Sequence, residues 1–155
     1  MTTGELDETD RAILKILQVD ATLTNKEIAD KVHKSTAAIH ERIRRLKSSG
    51  FIKKIVAIVD RKKIDKGLVT FSQVLLNNHT AQTLEKFEQE VIRFPEVLEC
   101  FQMTGAFDFI LRVATKDMDE YHHFYRNKLG RLPNITTVQS FFVLSEAKND
   151  TAYPL

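Results

Sequence analysis

Cysteine, tryptophan, proline and glycine are all scarce in this chain, which holds one, none, three and five of them in 155 residues. A single cysteine, Cys100, excludes an intrachain disulfide and a cysteine-based metal site, and suits a reducing cytoplasm. The few glycines and prolines are not clustered, so no segment reads as a low-complexity linker. No apolar run approaches the roughly 18 residues of a membrane-spanning helix. The opening MTTGELDETD is polar and acidic, unlike a secretory signal. No Ser/His/Asp set, Gly-rich phosphate loop or H-E-x-x-H pattern is present, so neither catalysis nor a resident cofactor is expected. Adjacent His122 and His123 point about 100° apart on a helix and cannot share a metal.

Charge of one sign is also nearly missing overall, since the net value is only +2. Its distribution is uneven. Residues 1–67 hold 15 Lys/Arg against 10 Asp/Glu, and residues 25–54 alone hold nine against three. Such a local excess is the footprint of a nucleic-acid-binding part.

The basic stretch reads as part of a three-helix unit. A first helix opens at Asp7, with Asp10 at the reciprocal position of a capping box, and repeats Ile13, Leu14 and Leu17. A second starts at Thr24 with Glu27 completing T-x-x-E, and carries Ile28, Ala29 and Val32 inward. Ser35 can cap a third, with Ile39, Ile43 and Leu46 inward and Gly50 just past its end. Only His33 and Lys34 separate the second and third helices. That short turn predicts a helix-turn-helix over about residues 25–44. The N-terminal part of its last helix enters the major groove in such units. The small side chains of Thr36 and Ala37 permit close approach, and His40, Glu41 and Arg44 can reach base edges. Arg42, Arg45 and Lys47 suit phosphates, and Thr24, Asn25, Lys34 and Ser35 flank the same surface. After Gly50, FIKKIVAIVD alternates β-branched residues and predicts a strand. We therefore divide the chain into a DNA-binding domain at 1–60, a tether at 61–67 and a second domain at 68–155.

The second half predicts strand-helix-strand-strand-helix-strand, a ferredoxin-like arrangement. Its strands are LVTFSQVLL, VLECFQMT, FDFILRVA and ITTVQSFFVLS, the middle two joined by a tight GA turn. Thr80 opens a helix with Leu84, Phe87, Val91 and Phe94 inward. Asp117 opens another with Met118, Tyr121, Tyr125, Leu129 and Leu132 inward. The fold class is α+β. A sheet with both helices on one face leaves the other bare, which predicts a homodimer through this half.

The opening L-D-x-x-D-x-x-I-L (Leu6 to Leu14), RIRRLKSSGFIKKIVAIVD and TGAFDFILRV together resemble the leucine-responsive regulator/asparagine regulator (Lrp/AsnC, feast/famine) family. The resemblance spans essentially the whole chain. It implies a winged-type helix-turn-helix transcription regulator, an amino-acid effector sensed by the C-terminal half, and dimers that associate further, often into octamers. The target is then a pseudo-palindromic duplex. One departure stands out: His33 occupies a turn position where such proteins usually have Gly, so a left-handed histidine is expected there.

The resemblance places the effector at Met103, Thr104, Gly105, Ala106, Phe107 and Asp108. Backbone N–H groups around Gly105 could cradle a carboxylate, Asp108 could pair an ammonium, and Met103 or Phe107 could wall the side chain. The same residues also suit a plain hairpin, with Gly105 serving the turn and Asp108 capping it. Two alternatives use the same architecture: an enzyme resembling the tetrapyrrole decarboxylases, and an amino-acid-sensing module without DNA. The second leaves the cations at 42–47 unexplained.

Overall fold

The computed structural model describes residues 5–155, which divide into two compact units. One is the chain as far as Ile58 together with Lys148–Leu155; the other is Val59–Ala147.

The first unit is three helices: α1 (Glu8–Val19), α2 (Asn25–Val32) and α3 (Thr36–Ser48). Their starts are local chemistry. The Asp7 and Thr24 side chains each accept from the backbone N–H three residues on, and Asp10 and Glu27 return the bond, so both capping boxes form. Ser35 Oγ accepts from Ala38 N at 3.2 Å to cap α3. Ile13, Leu14, Ile28, Ala29, Ile39 and Leu46 are buried together between the helices. His33 ends α2 at φ 54°, ψ 50°, the left-handed conformation expected of it, and its N–H reaches Ala29 O. Gly50, at φ 79°, turns the chain after α3 so that Ile52 N donates to Leu46 O.

The strand expected over residues 51–60 does not form. Residues 53–60 are exposed and join no ladder among the described residues, with Ile55, Val56, Ile58 and Val59 all half exposed or more. The alternation gave these residues strand character, but a strand needs a neighbour to bond to. The far end of the chain also joins this unit. Gln18 clasps Tyr153 by both backbone groups: Tyr153 N donates to Gln18 Oε1 at 2.7 Å, and Gln18 Nε2 donates to Tyr153 O at 3.1 Å.

The second unit opens with a 3-10 turn at Arg61–Ile64, capped by Asp60. It continues through β1 (Leu68–Leu76), α4 (Ala81–Val91), β2 (Val97–Gln102), β3 (Phe109–Thr115), α5 (Met118–Asn127) and β4 (Ile135–Phe142). The strands form one antiparallel sheet in the order β2-β3-β1-β4, the ferredoxin-like order. Alternation sorts the side chains. Val74, Leu76, Phe109, Leu111 and Val113 point into the core with Phe87 and Val91 of α4 and Tyr121 and Phe124 of α5. Both helices thus cover the same face. The other face carries Phe71, Ile110 and the more exposed Phe101 and Phe141, with an ion pair between Arg112 and Glu99 at 2.7 Å.

Two expectations for this half are corrected. The inward face of α5 is Tyr121 and Phe124, with Leu129 buried just beyond the helix as expected and Leu132 packed against the same core, whereas Met118 and Tyr125, at the two ends of the helix, are exposed. The connection between β2 and β3 is six residues (103–108), not a tight GA turn, and Met103 N donates to Asp108 O at 2.7 Å across it. The loop is wider because Asp108 is bound elsewhere, as its geometry shows. Cys100 points toward the core face, where burial pushes its thiol up to about 11.

Candidate nucleic-acid interface and effector turn

The two-residue turn at His33-Lys34 delivers α3 with one side buried and the other open. Thr36, Ala37, His40, Glu41, Arg44 and Lys47 are exposed, as are Lys34 and Ser35 before the helix. Asn25, at the start of α2, is half-buried, and its side-chain amide lies 3.2 Å from His40 Nδ1, joining the two helices at the open face. Thr24 spends its hydroxyl on the α2 cap, donating to Glu27 Oε2 at 2.7 Å.

The arginines of α3 are not equivalent. Arg44 donates to Glu41 through Nε at 3.0 Å and Nη2 at 2.6 Å, a fork-to-fork pair on the exposed face. This pairing holds the Glu41 carboxyl below its ordinary value of 4.5. Arg42 and Arg45 reach back to α1. Arg42 Nη1 donates to Asp7 Oδ2 at 2.6 Å and to Asp10 Oδ1 at 2.8 Å, and Arg45 Nη2 donates to Asp10 Oδ2 at 2.6 Å. Asp10 is 1% exposed, so it is a buried carboxylate held between two guanidiniums. Sequence reasoning gave Asp10 only its capping role. The capping box hid the longer-range one, which no local spacing could reveal.

In the second unit, Met103, Thr104, Gly105 and Ala106 are exposed, while Phe107 and Asp108 are half-buried. Gly105 sits at φ 115°, where a side chain is strained, although open space surrounds the place a Cβ would take. Its requirement is therefore conformational. Asp108 is engaged on both oxygens: Oδ2 accepts from Leu76 N at 2.7 Å, and Oδ1 lies 3.1 Å from His79 Nε2. His79 was not anticipated at this turn. It lies 29 positions before Asp108, in the polar run between β1 and α4.

An exposed cationic helix behind a sharp two-residue turn, joined in one chain to a ferredoxin-like unit with an open sheet face, defines a DNA-binding regulator with a separate sensing domain. Residues 6–53 match the family model for a winged helix-turn-helix DNA-binding domain, and residues 69–153 match that for the Lrp/AsnC ligand binding domain. The chain is 35% identical over 150 residues to the transcriptional regulator AzlB of Bacillus subtilis, covering 97% of this chain and 96% of that protein. It is 33% identical to the DNA-binding transcriptional activator DecR of Escherichia coli K12, covering 97% and 99% respectively. A transcriptional regulator from Neisseria meningitidis, solved as a complex with L-Met, superposes with a TM-score of 0.92 at 33% identity, covering 97% of each chain. The chain belongs to the Lrp/AsnC family of transcription regulators. It acts on DNA as a regulator and is not an enzyme.

Proposed function

We propose that this regulator works as a homodimer on a pseudo-palindromic operator, reads it with the open face of α3, and responds to a small amino acid held at residues 103–108. The observation that carries the DNA part is the exposure of His40, Glu41 and Arg44 on one face of α3, coupled to Asn25 of α2. Base-edge contact falls to His40, Glu41 and Arg44, with Thr36 and Ala37 packing close. Lys34 and Lys47 supply phosphate contacts. The residues Thr24 and Ser35 serve by capping the helices that present this face.

The amino-acid part is supported by the L-Met complex of the Neisseria relative. At the turn, the backbone N–H groups around Gly105 suit a carboxylate, and Asp108 Oδ1, now facing His79, suits an ammonium that displaces the imidazole. The homodimer is supported by the uncovered sheet face, where Phe101 and Phe141 are each about half exposed. Family resemblance supports further association of the dimers into a higher assembly such as an octamer. No helix among the described residues is long and apolar enough to cross a membrane, and we assign the protein to the cytoplasm, where its DNA lies.

Arg44→Ala tests the DNA reading. Operator affinity measured by fluorescence anisotropy should fall about 5- to 160-fold, as expected for loss of a base contact worth roughly 1–3 kcal/mol. Light scattering should give an unchanged assembly. Wild-type affinity in the variant would remove Arg44 from the interface.

A further inference from the structure

We propose that Asp10 is a specificity-determining residue of this regulator: it withholds Arg42 and Arg45 from the DNA backbone, so that binding leans on base contacts instead of unselective charge. The proposal rests on α3 being the helix that meets DNA, and it concerns how that helix's charge is rationed.

The three arginines of α3 form two classes. Arg44 is paired with Glu41 where both side chains are mostly exposed, at 70% and 62%. Such a surface pair is weak and screened by salt, so a base or phosphate can displace Glu41. Arg42 and Arg45 instead converge on one carboxylate that water scarcely reaches. A buried carboxylate tolerates its charge only while cations and donors surround it. Asp10 receives Arg42 on one oxygen and Arg45 on the other, with the N–H of Asp7 also directed at it. Asp7 adds a second acceptor for Arg42 at 2.6 Å. A guanidinium that left for a phosphate would strand this buried charge. The phosphate must therefore outcompete an optimal local partner, and the two cations stay home.

Two consequences follow from counterion release, in which each phosphate neutralised steepens the dependence of log affinity on log salt by about 0.9. The wild-type slope should include no contribution from Arg42 or Arg45. Neutralising Asp10 should free Arg45, whose side chain is 54% exposed, and leave Arg42 only its pair with the half-exposed Asp7, a surface pair that a phosphate can displace.

The test uses the full chain and two duplexes, an operator and a scrambled sequence of equal length, titrated between about 50 and 200 mM salt, the range over which phosphate contacts dominate affinity. Asp10→Asn keeps the shape and an acceptor for the cap. It should bind the scrambled duplex several-fold more tightly at low salt, with a slope steeper by about 1–2. The ratio of operator to scrambled affinity should fall at least threefold. A merely structural Asp10 would instead lose affinity for both duplexes with an unchanged slope, and that outcome overturns the proposal. Should Asp10→Asn not fold, the triple variant Asp10→Asn, Arg42→Gln, Arg45→Gln replaces the buried carboxylate and both of its arginines by neutral side chains. Its slope should equal that of wild type. A slope shallower by about 2 would mean that both arginines touch phosphates in the natural protein, and the proposal would fail. Arg44→Ala separates the two levels: combined with His40→Ala and Glu41→Ala, a null result with a wild-type salt slope refutes the α3 interface itself, whatever Asp10 does.

Discussion

The carboxylate of Asp108 holds the backbone N–H of Leu76 at 2.7 Å, tying the loop before β3 to the last residue of β1. Leu76 is 1% exposed, so this N–H has no water to fall back on. Asp108→Ala should therefore destabilise the second unit by about 1–3 kcal/mol through an unpaired buried donor. Asp108→Asn retains an oxygen for Leu76 while losing the charge. With L-Met as the probe, thermal shift should be strong in wild type, at least tenfold weaker in affinity for Asp108→Asn, and unaltered if the turn is only a hairpin device.

His33 tests whether left-handed backbone is a burden here. A side chain in that region costs roughly 1–2 kcal/mol, part of which glycine gives back as unfolded-chain entropy. His33→Gly should raise stability by up to about 1 kcal/mol, and the β-branched His33→Val should lower it below wild type. Urea denaturation followed by circular dichroism orders the three. If glycine is the least stable, the turn is held by the imidazole and not strained by it.

Acid should loosen the helix starts. The backbone N–H and then the hydroxyl of Thr24 hold the Glu27 carboxyl below its ordinary value of 4.5, and the N–H of Asp10, then Arg42, holds Asp7 below 3.8. A carboxylate with a lowered folded-state value stabilises the fold above its ordinary value and loses that contribution as pH falls through the lower one. Stability should thus decline from about pH 4.5 downward. Glu27→Gln should flatten that decline when denaturation midpoints are compared at pH 7, 4 and 3. An identical pH profile would show that the box contributes nothing through charge.

Phe71 and Phe141 are directly opposed across β1 and β4 on the uncovered sheet face. Placing charge there should block burial against a second copy. Phe101→Glu with Phe141→Glu should shift light-scattering mass to that of one chain without altering the circular dichroism of the fold. A mass equal to wild type would move the dimer contact elsewhere.

What sequence reading captured was local chemistry. Caps at Asp7, Thr24 and Ser35, the histidine turn and the inward stripe of α4 each depend on residues within four or five positions. What it missed depends on partners far along the chain. Residues 53–60 have strand-like alternation but no neighbouring strand among the described residues, and periodicity is silent on that. Asp108 meets Leu76 across 32 positions, which opens a turn that the GA dipeptide suggested was tight. Helical spacing placed Arg42 and Arg45 on a polar face, yet could not see Asp10, 32 and 35 positions earlier, waiting beneath them.

The clasp of Gln18 on Tyr153 decides where a probe should go. Although residue 153 follows the last strand of the sheet by eleven positions, it is lodged beside the end of α1. A fluorophore attached there would report on the end of α1. A Gln18→Ala variant would set that same label spinning freely, turning one amide into a visible measure of how firmly the two ends of the protein hold hands.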